Sequence, residues 1–133
     1  MQFIPEKIRT TIETISPYIT ISKKLIPDVY YVKSPYKSSN TPPDESADWK
    51  IYDGSSLGSE IDAHFWFKFK ISVPKSERGE FRLVANGARD GQWDAMNPQC
   101  TVFIDSDSAY QAFDATHTCT PVAEGDHSVA IYY

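Results

Sequence analysis

The longest stretch of unbroken period-2 alternation spans residues 61–74, IDAHFWFKFKISVP. Phe65, Phe67, Phe69, Ile71 and Val73 fall on one side of a pleated strand; His64, Trp66, Lys68, Lys70 and Ser72 fall on the other. An α-helix would scatter the five apolar side chains around its circumference, so the pattern predicts a half-buried strand at the centre of the fold. Pro74 withholds a donor and ends it. Residues 80–86 repeat the alternation with Phe81, Leu83 and Ala85 on one face, and are expected to pair with the central strand as its antiparallel neighbour. Residues 99–105, QCTVFID, form an apolar run that could be buried on both faces. Short strands are expected at 109–113 and 118–122, and a last one at 127–133 after a hairpin-type turn at Glu124-Gly125-Asp126.

Ahead of these strands, residues 5–17 read as a helix. Pro5 suits the first turn, Glu6 complements the positive end of the dipole, and Ile8, Ile12, Ile15 and Ile19 recur at near-helical spacing. Such a stripe needs a partner, either one sheet of the same fold or a neighbouring domain. Residues 18–36 hold two short extended candidates, ITIS and DVYYVK. Residues 38–47, SSNTPPDESA, have the composition of a mobile surface loop, 49–53 could be a short strand, and 87–98 form a long irregular loop around Trp93. Strands recurring every ten or so residues, broken by Gly, Pro, Asp and Ser, predict an all-β sandwich rather than βαβ units. The expected organisation is an N-terminal helix over 1–20 and a β-sandwich over 21–133.

A length of 133 residues suits one domain with one core, and 41% hydrophobic with 23% charged residues is an ordinary globular balance. The net charge of -5, with scattered Lys and Arg, gives no electrostatic reason to expect nucleic acid or anionic lipid as a partner. No apolar run approaches the ~20 residues needed to span a membrane. The N-terminus lacks the pattern of a secretory signal. The expected compartment is therefore the cytoplasm, with Cys100 and Cys119 as reduced thiols. The final apolar strand ends without a polar tail, which is expected of a piece cut from a larger protein.

Two constellations could carry chemistry. Asp62 with His64, and Asp114 with His117, would suit zinc or acid–base work if the fold brought them together; the same residue types also cap turns, and Asp114 followed by Thr116 suits an Asx turn. Trp49, Trp66 and Trp93 could stack on sugar rings, or pack in a second core layer or interface. There is no nucleophile elbow, no Gly-rich phosphate loop and no H-E-x-x-H. Nothing in the chain reads as a complete catalytic machine.

Three segments in order, DAHFWFKFKISVP from Asp62, WDAMNPQ from Trp93 and TVFIDSDSAYQAFDATH ending at His117, resemble the region ahead of the catalytic domain in bacterial α-mannosidases of glycoside hydrolase family 38. Asp62, His64, Trp66, Phe67, Pro74, Asn97, Pro98, Gln99, Asp105, Gln111, Asp114 and His117 carry the likeness. Ser106 and Gly58-Ser59 stand where that family usually has glycine and a glycine pair. The resemblance implies a galactose-binding-like sandwich of the jelly-roll kind, non-catalytic, docked on the catalytic domain of the same chain, where it could frame the active site. It places the catalytic zinc and the aspartate nucleophile of a retaining mannosidase in that C-terminal domain, leaving no cofactor for these residues. Candidate interface or sugar-facing residues are then Asp62, His64, Trp66, Trp93, Asn97, Gln111, Asp114 and His117. Two other readings are an independent module binding mannose-containing glycans through Trp66 and Trp93, and a small zinc enzyme using His64 and His117. Oligomers are possible through surfaces a neighbour would cover.

Overall fold

A computed structural model describes residues 3–35, 41–55, 57, 63–85, 99–105, 110–114 and 117–133. Helix α1 (Phe3–Ile19) is followed by β1 (Tyr30–Ser34), β2 (Lys50–Ile51), β3 (His64–Val73), β4 (Phe81–Val84), β5 (Cys100–Ile104), β6 (Tyr110–Phe113), β7 (Cys119–Val122) and β8 (Gly125–Tyr132). Six strands form one antiparallel sheet in the order β2-β1-β3-β8-β5-β6, and β4 pairs with β7 in a second sheet. The alternating strand is central as expected: β3 runs between β1 and β8, with Phe67 opposite Ile131 and Phe69 opposite Val129.

The two sheets share one core. Phe69 and Val73 of β3 cluster with Val129 and Ile131 of β8, Val102 of β5 and Phe113 of β6, and Leu83 and Val122 of the second sheet join them. The molecule is therefore all-β and antiparallel apart from its N-terminal helix, an arrangement compatible with a β-sandwich. β3 is buried on its other face too. Trp66 is 3% exposed, its ring 5.6 Å from Phe103 and 5.0 Å from Tyr132. Val102 and Phe103 thus pack on opposite faces of β5, as the apolar run predicts.

Several expectations need correction. β4 does not neighbour β3 but pairs with β7, Phe81 opposite Val122 and Val84 opposite Cys119. Both edges of β3 are already taken by β1 and β8, and after Pro74 a polar link with Gly79 at φ 76 leads the chain to the other sheet. Glu124-Gly125-Asp126 makes no hairpin, because β7 and β8 lie in different sheets; Gly125, at φ 127, opens β8 opposite Val73. The ITIS segment forms no strand: Ile19 is still helical and Ile21 is 74% exposed.

Helix α1 takes in Pro17 within its last turn. A proline there removes one backbone donor late in the helix, where little chain remains to be disrupted. Its apolar stripe is uncovered, with Ile8, Ile12, Ile15 and Ile19 between 47% and 72% exposed. The polar segment ahead of β2 is tied down over its described part. Lys68 Nζ lies 2.6 Å from Glu45 and 4.1 Å from the centroid of the Trp49 ring, while Trp49 Nε1 donates to the Asp44 carbonyl at 2.9 Å. Among the described residues no helix is long and apolar enough to cross a membrane, and both cysteines are free.

Candidate functional site

One end of the large sheet gathers the described candidates. β1 and β8 finish there, β3 and β5 start there, and β6 ends there, with Phe65 opposite Tyr133 through reciprocal 2.9 Å hydrogen bonds and Cys100 opposite Phe113. His64 lies one residue beyond this row on β3, and Asp114 one residue beyond it on β6. Between them run β8 and β5. Three inter-strand spacings of about 4.8 Å put their backbones about 14 Å apart, beyond the reach of one metal ion.

Each group has its own local partner. The half-buried His64 ring stacks on Tyr132, centroids 5.5 Å apart and planes 1° from parallel. Asp114 Oδ1 accepts the His117 backbone N–H at 2.8 Å and lies 3.2 Å from His117 Nδ1, while the Asp114 N–H donates to the His117 carbonyl at 3.1 Å. The Asp114 carboxylate thus caps the backbone three residues on, at His117, whereas an Asx turn would bond residue 116, which lies outside the described residues. No group of three His, Cys, Asp or Glu capable of holding a metal occurs among the described residues. The zinc-enzyme arrangement of His64 with His117 is therefore not assembled by these strands.

As a sugar platform Trp66 is corrected by its burial: both of its neighbouring rings come from strands on its own sheet face, and no ring face is left for a ligand. It belongs to a second packing layer. Trp49 is half-buried, with the Lys68 ammonium over its ring. Asp62, Trp93 and Asn97 lie outside the described residues; the Gln111 backbone is placed opposite Val102 in β6, and its side chain is outside the description.

Two features were not singled out by the sequence. Asp105, at the end of β5, meets His127 on β8: Oδ2 is 2.6 Å from Nδ1, and His127 Nε2 is 2.9 Å from the Ala123 carbonyl. The hydrogen bond to His127 holds the Asp105 carboxyl below its usual range, and the same bond, backed by the Ala123 carbonyl, lifts the His127 imidazole above its own. The second feature is a cleft of about 480 Å³ beside β1 and β2, floored by Tyr31 and Phe65 and rimmed by Lys33, Asp48, Lys50 and Ser55. YYVKS gives no such signal, since Tyr31 shares its face with Lys33, and the segments that line the cleft are far apart in the chain. Among the described residues, a groove of similar size along α1 is lined by that helix alone.

The chain matches no protein-family model, no curated protein and no solved structure.

Proposed function

We propose that the chain is a non-catalytic accessory domain of a retaining α-mannosidase of glycoside hydrolase family 38, a jelly-roll, galactose-binding-like sandwich that docks on the catalytic domain of the same protein. The observation that carries this reading is the isoleucine stripe of α1, Ile8, Ile12, Ile15 and Ile19, left between 47% and 72% exposed on an amphipathic helix. A stripe of this kind gains stability by burial against another apolar surface. The ordered likeness of the segments around Asp62, Trp93 and His117 supplies the family, and the shared core of the two sheets agrees with its fold. Zinc and the nucleophile belong to the catalytic domain in this reading, as they do in the family that the three segments resemble.

The test is the longer protein. Its coding sequence should continue past Tyr133 into several hundred residues, and the product should hydrolyse an aryl α-mannoside, whereas residues 1–133 alone should not. In the long protein, Ile12→Asp with Ile15→Asp should split one thermal transition into two. A stop codon directly after Tyr133 sinks the proposal.

A further inference from the structure

The second sheet covers only part of the first. Among the described residues, every buried member of the shared core comes from β3 to β8, and none from β1 or β2. Over β1 and the start of β3 the inner face is lined by aromatic rings instead: Tyr31 lies 5.9 Å from Tyr52, 6.3 Å from Phe65 and 6.2 Å from Phe67. The cleft of about 480 Å³ opens on this half of the sheet, within the range of about 300–1,000 Å³ typical of ligand sites. Its floor is apolar and its rim is not. Lys33 and Lys50 bring donors, and Asp48 brings an acceptor.

We propose that this cleft binds a neutral pyranose, with a C–H face of the sugar against Tyr31 and neighbouring hydroxyls shared between the Asp48 carboxylate and the Lys50 ammonium. A sugar ring is apolar on its faces and both donor and acceptor around its edge, which matches an aromatic floor under a rim of mixed sign. The charged rim opposes a purely apolar ligand, and a carboxylate set beside ammonium groups suits hydroxyls, which both donate and accept. Asp48 Oδ2 and Lys50 Nζ stand 3.5 Å apart with side chains 85% and 61% exposed. So solvated a pair costs little to redirect toward hydroxyls. The proposal does not depend on the mannosidase kinship. Binding of a glucoside or galactoside in place of a mannoside upholds the cleft and weighs only on the kinship.

The test is a ¹⁵N–¹H titration of the whole 133-residue chain with the methyl glycosides of mannose, glucose and galactose, each up to about 50 mM, since a ligand this small reaches a Kd on the order of 1 mM. The expected result is saturable amide shifts at residues 31–33, 48–50 and 55 with at least one glycoside. Asp48→Ala should weaken that binding tenfold or more with the spectrum otherwise retained, and Lys24→Ala, an exposed control, should leave it unchanged. Absence of saturable shifts with all three sugars, shifts confined to other residues, or wild-type affinity in Asp48→Ala would each overturn the proposal.

Discussion

Asp105 has φ 57, a left-handed conformation uncommon for a residue with a side chain. Its own N–H donates to the Ser128 carbonyl at 2.8 Å, but the Ser128 N–H donates to Asp105 Oδ1, at 2.9 Å. The carboxylate so takes a ladder bond at the strand end, and its second oxygen takes His127 Nδ1. The other ring nitrogen of His127 faces a carbonyl, which only accepts, so both contacts are satisfied together when the imidazole is protonated. The sign follows from the two shifts. His127, raised from 6.5, contributes stability that is complete below that value and is lost as pH rises through its folded pKa; Asp105, lowered from 3.8, contributes stability present above that value and lost as pH falls through its own. The thermal midpoint should therefore decline as pH is raised above about 6.5, and His127→Gln should remove that decline. A wild-type profile with no slope there would refute the paired imidazolium. In the chain His127 reads only as the first residue of a strand, because its partner 22 positions earlier is reached only once β5 and β8 are known to be adjacent. The thiols offer a second check at this scale. Burial pushes Cys100 up to about 11, so at pH 8 only about one molecule in a thousand carries its thiolate. Native-state alkylation should modify the partly exposed Cys119 well before Cys100; equal rates would mean that the core opens readily.

Helix and central strand both announce themselves by period, yet their apolar residues have different fates. On β3, Phe69 meets a second layer from β4 and β7 and is 8% exposed; on α1, Ile12 meets none and is 54% exposed. In urea denaturation of the 133-residue chain, Phe69→Ala should cost about 3–5 kcal/mol, the range for emptying a buried aromatic site. Ile12→Ala should stay within about 0.5 kcal/mol, since it removes little buried surface and alanine favours the helix. A loss at Ile12 approaching that at Phe69 would show the helix packed within this chain. Period tells which face of an element is apolar, and so made β3 and the isoleucine stripe legible. It does not tell what lies opposite. The burial of Trp66 depends on Phe103 and Tyr132, residues of two other strands that reach it only through the sheet order.

Sheet order is where local reading stops. Strand positions follow from alternation and from breaks at Gly, Pro and Asp, each a property of a few consecutive residues, whereas β3 and β8 pair across more than 50 intervening residues and β4 joins a sheet to which β3 does not belong. The chain-order neighbour is the default partner for a strand, and β3–β4 breaks that default because the link after Pro74 changes layer. The same limit hid the cleft, whose floor joins Tyr31 to Phe65 across the β1–β3 pair. A cross-link can discriminate the two pairings. Phe65 and Tyr133 exchange both backbone hydrogen bonds, so, counting along the register, Lys70 and Ser128 form a pair that exchanges none, with Cα atoms about 4.5 Å apart. Both positions are exposed, and that separation lies inside the range a disulfide spans. Lys70→Cys with Ser128→Cys, in a background of Cys100→Ala and Cys119→Ser, should oxidise fully in the folded protein. Closing a loop of about 60 residues, the bond should raise stability by up to about 4 kcal/mol over the reduced form. A β3–β4 hairpin would leave residues 70 and 128 without a common ladder, and the two thiols would then stay reduced until the protein was unfolded.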